Sequence, residues 1–136
     1  MKRFAAAFLL LAACSGEAEL PSLVTGEFAG HGRARLCIAG DKGNYRGGVI
    51  AYRPTGDANC SARGRLEPAG AGWALLPPGE GPCRIPLAIE GNSVRVGDLT
   101  EACSYYCGPG ASMSGKAFNR ADMGAKAVDL AGDPLC

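Results

Sequence analysis

The chain has 136 residues, with 14 basic and 13 acidic side chains, a formal charge of +1, 21 glycines and nine prolines. Its length suits one domain with one modest core. Its charges are balanced and scattered without a run of one sign, which excludes recruitment of nucleic acid or of an anionic lipid surface by charge.

In chain order the first element is a leader. Lys2-Arg3 precedes an unbroken apolar run from Phe4 to Ala13, and Leu11-Ala12-Ala13-Cys14 closes it with small residues and a cysteine. A positive start, an apolar stretch and a small-residue end form a secretory signal, and the run is shorter than the about 20 apolar residues of a spanning helix. The Leu-Ala-Ala-Cys ending resembles the lipobox of bacterial lipoproteins. The resemblance implies cleavage before Cys14, a diacylglyceryl group on its sulfur and attachment to a lipid bilayer. Ser15, standing where an Asp would signal inner-membrane retention, implies an outer-membrane anchor facing the periplasm. Loss of Lys2 and Arg3 removes two positive charges and turns +1 into −1. Residues 14–22 are polar and aperiodic and read as a lipidated tether, which leaves residues 23–136 as a single β-rich domain.

From Leu23 to about Leu99 the period is two, and Gly, Pro, Asn and Asp supply the breaks. Strands are expected over Arg33–Ile38, Tyr45–Tyr52, Cys60–Glu67, Trp73–Leu76, Arg84–Glu90 and Ser93–Val96. Asp41–Asn44 is a turn, Pro68 to Gly72 is another, and Glu90-Gly91-Asn92 separates a hairpin. Gly47-Gly48 marks a bulge or a close backbone approach. The two-residue spacing of Arg33/Arg35 and Arg63/Arg65 points each pair to one strand face, read as the solvated outside of a sheet. Pro77, Pro78, Pro82 and Pro86 make the strand near Arg84 an edge. Beyond Cys103 come two tyrosines, a Gly-Pro-Gly bend and two serines. Ala121 to Ala131 then has the spacing of a short amphipathic helix, with Gly132-Asp133-Pro134 as its stop. The expected fold is all-β, a small antiparallel sandwich or barrel of six to eight short strands, with a short C-terminal helix.

Of seven cysteines, Cys14 belongs to the lipid reading. Cys37, Cys60, Cys83, Cys103, Cys107 and Cys136 remain, an even set that reads as disulfides in an oxidising compartment. Cys37 and Cys60 end and begin neighbouring strand runs and are expected to pair. Cys136 reads as a staple holding the C-terminal helix to the sheet. A zinc site has little support, because the chain has one histidine and Cys103/Cys107 lack a second close pair. No cofactor is expected.

The sequence carries no complete catalytic set. Gly110-Ala111-Ser112-Met113-Ser114-Gly115 misses the nucleophile elbow Gly-x-Ser-x-Gly by one residue, and His31, the one candidate base, sits in Gly30-His31-Gly32. Asp98 and Glu101 are explained as charged turn residues, and no phosphate loop or dinucleotide fingerprint occurs. Binding is the stronger expectation. Tyr105 and Tyr106 are of a residue type favoured at recognition hot spots, and Ser112, Ser114 and Lys116 can hydrogen-bond an acidic group or a sugar. The two tyrosines, on an extended segment, should face opposite ways.

Ser112-Met113-Ser114-Gly115-Lys116-Ala117-Phe118 resembles the Ser-Gly-x-x-aromatic loop of bacterial lipoprotein inhibitors of C-type lysozyme. The resemblance maps Ser114, Gly115 and Phe118 onto that loop, with Lys116 as its basic neighbour, and departs from it in Phe for the usual Tyr, the six cysteines and the Gly-Pro-Gly bend. The expectation is therefore a non-enzymatic, membrane-anchored periplasmic lipoprotein that binds an envelope protein or glycan. Inhibition of a C-type lysozyme is the first alternative and a serine-dependent hydrolase the second.

Overall fold

Strand alternation closes on itself. In the computed structural model, which describes residues 22–79, 81–121 and 126–136, eight strands run antiparallel to their neighbours in sequence order and complete a barrel. They are β1 (Gly26–Ala29), β2 (Arg35–Asp41), β3 (Asn44–Tyr52), β4 (Asn59–Ala69), β5 (Gly72–Leu76), β6 (Ile85–Glu90), β7 (Ser93–Val96) and β8 (Ala117–Arg120). Closure comes from β8 returning to β1, with Ala29 opposite Asn119 and Phe28 opposite Arg120. The leader, Cys14 and the tether up to Pro21 lie outside the described residues.

An eight-strand barrel is just wide enough for side chains to fill it. β7 shows the rule plainly: Val94 and Val96 are buried while Ser93 and Arg95 are exposed. Phe28, Phe118, Leu36, Ile38, Val49, Leu75 and Ile85 meet inside in one cluster. β3 departs from alternation, with Gly47 to Ala51 buried on both faces. Its outer face is covered by the C-terminal segment, where Cys37, Ile50, Ala127 and Leu135 form a second cluster outside the barrel. Gly48 makes this possible: a Cβ there would stand 2.5 Å from the Leu135 Cβ. The close approach expected at Gly47-Gly48 is thus an approach by the chain's own last residues.

Three disulfides join Cys37 to Cys136, Cys60 to Cys107 and Cys83 to Cys103. The expected Cys37–Cys60 pair is corrected. β3 lies between their strands, and parity puts Cys37 in the outer cluster while Cys60 is in the inner one, so the barrel wall separates them. Cys136 does staple the C-terminal segment to the sheet. That segment is not helical where it is described: Val128 bridges Pro134 around a turn, and residues 122–125 of the expected helix lie outside the described residues. The helical piece is instead a 3-10 turn at Glu101–Tyr106.

The strand near Arg84 is not an edge. β6 pairs with β5 at Ile85–Leu87 and with β7 at Leu87–Glu90. Pro86 is tolerated because the stagger leaves it beside one regular ladder only, where its missing N–H breaks nothing. The Pro68–Gly72 turn is also tighter than expected, since β4 runs through Pro68 and Ala69 pairs with Gly72.

Candidate functional site

One end of the barrel gathers the β1–β2, β3–β4, β5–β6 and β7–β8 connections, because consecutive strands alternate in direction. The β7–β8 connection is the longest of these, Gly97–Lys116, and it holds every binding residue expected from sequence. Long loops on a rigid scaffold are where binding residues collect.

Two disulfides fix its first half. The Cys103 N–H donates to the Thr100 carbonyl at 3.0 Å and the Cys107 N–H to the Ser104 carbonyl at 3.0 Å, winding the 3-10 turn. Cys103 then ties that turn to Cys83, and Cys107 ties it to Cys60 at the start of β4. The Gly108 N–H donates to the Asn59 carbonyl at 2.8 Å and the Ala111 N–H to the Gly108 carbonyl at 3.1 Å. Pro109 and Gly110 are the central pair of this turn, and the positive φ of Gly110, 74°, is what a Pro-Gly type II turn requires.

Tyr105 projects from this frame and is 88% exposed, whereas Tyr106 is half-buried against the core. Their rings meet edge-on, 5.2 Å between centroids at 88°, a favoured aromatic geometry. The expectation that they face opposite ways on an extended segment is corrected: the 3-10 turn has about three residues per turn, which brings the two rings into contact, with one half-buried and the other exposed.

The second half of the loop serves the core. Met113 is fully buried and caps the barrel interior. Around it the Lys116 N–H donates to the Met113 carbonyl at 3.2 Å and the Gly115 N–H to the Val96 carbonyl at 2.8 Å. Ser112 Oγ accepts the Ser114 N–H at 3.2 Å, and Ser114 Oγ accepts the Leu99 N–H at 3.1 Å. So Ser112, Ser114 and Lys116 share one tight turn, with Ser112 and Lys116 exposed and Ser114 half-buried. Phe118, matched to the aromatic of the lysozyme-inhibitor loop, faces the barrel interior and is fully buried. His31 is exposed in the β1–β2 turn, and no hydrogen bond joins it to either serine among the described residues.

Sequence reasoning missed a neighbouring assembly at this same end. Arg33 Nη1 pairs with Asp57 at 3.1 Å, and its guanidinium carbon stands 3.9 Å from the centre of the Tyr52 ring. The expected pairing of Arg33 with Arg35 on one strand face is corrected, because Arg33 lies in the turn before β2 begins at Arg35; its stacking partner Tyr52 ends the neighbouring β3 and was not legible. A cleft on the barrel wall is lined by none of the residues from Tyr105 to Lys116. Among the described residues no three His, Cys, Asp or Glu side chains gather as a metal site would need. No family model, curated protein or solved structure matches this chain.

Proposed function

We propose that the chain is a non-enzymatic binding module of the bacterial envelope, held to the outer membrane by a lipid on Cys14 and facing the periplasm. It meets an envelope protein or glycan through the Tyr105 end of the barrel. Tyr105 carries this reading: a large ring 88% exposed, on a turn clamped by two disulfides. An aromatic anchor that is already rigid loses little conformational entropy on binding. The leader supports the membrane address, and the tether would hold the domain within roughly 25 Å of the lipid surface. Both serine hydroxyls already accept backbone N–H groups, which supports binding over hydrolysis.

A photo-crosslinking residue placed at Tyr105, and as a control at Lys42 on the opposite end of the barrel, tests the proposal in cells. A discrete envelope adduct from position 105 alone is expected; no adduct, or the same adduct from both positions, would overturn the assignment of the surface. Turbidity of a C-type lysozyme digest with and without the protein tests the alternative. Its support is that Ser114 and Lys116 share one turn.

A further inference from the structure

A cleft of about 820 Å³ lies among the described residues where β3, β4 and the end of β5 meet the loop up to Arg84 and the C-terminal segment. Its described lining includes four arginines, four prolines and four glycines. Glu80, between two of the lining glycines, lies outside the described residues.

Register assembles the arginines. β3 and β4 place Arg46 opposite Arg65 and Gly48 opposite Arg63, so Arg46, Arg63 and Arg65 share the outward face. Arg84 joins them from the loop before β6. Like charges directly opposite each other across a sheet repel. Among the described residues one side-chain carboxylate pairs with two of the four, Glu67, at 2.7 Å from Arg84 and 3.6 Å from Arg65, and Cys136, the last residue of the sequence, adds its terminal carboxylate to the lining. Arg63 Nη1 donates to the Pro134 carbonyl at 3.1 Å, and Arg46 has no ion pair among the described residues. Positive charge in a cleft with low-dielectric walls focuses the field on whatever enters.

The walls are apolar and close. The Leu76 carbonyl and Pro77 pass directly over Gly64, where any Cβ would collide with them; Gly64 alternates with Arg63 and Arg65 along β4, so this crossing closes the cleft from the face opposite the arginines. Pro78, Pro82 and Pro134 add further rigid rings. Interspersed guanidinium groups break any continuous slot for an acyl chain.

We propose that this cleft binds an anionic sugar, a pyranose ring bearing a carboxylate or a phosphate. The guanidinium fork matches either oxyanion through two parallel N–H donors. Pro78, Pro82 and Pro134 give the apolar walls against which the carbon skeleton of the ring packs, in the usual division of a pocket into apolar walls and a few polar contacts. The cleft touches the Tyr105 loop through Cys83, which is bonded to Cys103, but none of the residues from Tyr105 to Lys116 lines it, so the inference does not rest on the function proposed above.

The test is an NMR titration of the purified protein with glucuronic acid, glucose 6-phosphate, glucose and inorganic phosphate. Saturable shifts at Arg46, Gly47 and Gly64 are expected with at least one anionic sugar and not with glucose. The tighter of glucuronic acid and glucose 6-phosphate identifies the oxyanion. The double variant Arg46→Gln with Arg65→Gln should weaken binding at least tenfold while the melting temperature stays within a few degrees of the parent. Equal responses to glucose and to both anionic sugars would overturn the proposal. So would inorganic phosphate binding as tightly as both, which would make the cleft a bare anion site, and so would undiminished binding by the double variant.

Discussion

At Gly48 the absence of a side chain admits the C-terminal segment to the outer wall of β3, and that single vacancy decides whether Ile50 is covered or faces water. Gly48→Val should therefore force Leu135 away, at a cost of about 1–3 kcal/mol for an overpacked site, read from urea unfolding. Tyr105 and Phe118 make the opposite comparison. Tyr105→Ala removes a ring that is 88% exposed and should change stability by no more than about 0.5 kcal/mol. Phe118→Ala empties a fully buried interior position and should cost about 3–5 kcal/mol. Equal costs for the two would mean that Tyr105 is packed and is not a presented anchor. Arg46 offers a third case: Arg46→Gln relieves repulsion with Arg65 across the ladder and should stabilise the free protein by about 0.2–1 kcal/mol. That gain should shrink as added salt screens the pair, whereas a purely structural arginine would show a loss instead.

Individual elements depend on their staples to different degrees. Cys37–Cys136 spans a sequence separation of 99 residues and Cys83–Cys103 one of 20. If loop closure in the unfolded chain governs, removing the first as a Cys→Ala pair should cost about 4.7 kcal/mol and removing the second about 3 kcal/mol. The first removal also releases the segment that covers Ile50, so binding of a hydrophobic dye should rise with it and not with the second. The loop responds in another way. Without Cys60–Cys107, the backbone β-bridge at those two residues, the Gly108–Asn59 hydrogen bond and Cys83–Cys103 are left to hold the Tyr105 turn. Backbone amide exchange at Tyr106 and Gly108 should then accelerate while the core strands stay protected.

For the molecule as a whole, all six cysteines of the domain are oxidised in three bonds, so thiol titration of the unfolded, unreduced mature protein should find none free among them. The proposed lipid anchor belongs to the same scale. Each buried CH₂ of an acyl chain is worth about 0.8 kcal/mol, and two chains hold stably where one holds marginally. Cys14→Ser should leave an uncleaved or mislocalised precursor in cell fractionation; normal maturation and membrane retention of that variant would end the lipid reading.

The parts legible in the sequence were those set by local pattern: the period of two that makes Val94 and Val96 core residues and Arg95 a surface one, the turns at Asp41–Asn44 and Gly91-Asn92, the all-β class, and the even cysteine set. These rest on rules that act within a few residues. What tertiary structure alone decided depended on which strand neighbours which and on which face. Pairing of β6 with β5 on one side and β7 on the other removed the edge expected at Arg84. β3 between Cys37 and Cys60 forbade their pairing, and the segment 126–136 covers Gly48 without forming a helix where it is described, with Ala127 and Leu135 in the outer cluster and Leu130 exposed. Arg63/Arg65 could be read as a pair, but their meeting with Arg46 is a matter of register and with Arg84 of loop path. Those distances span tens of residues along the chain, and no short-range rule reaches so far.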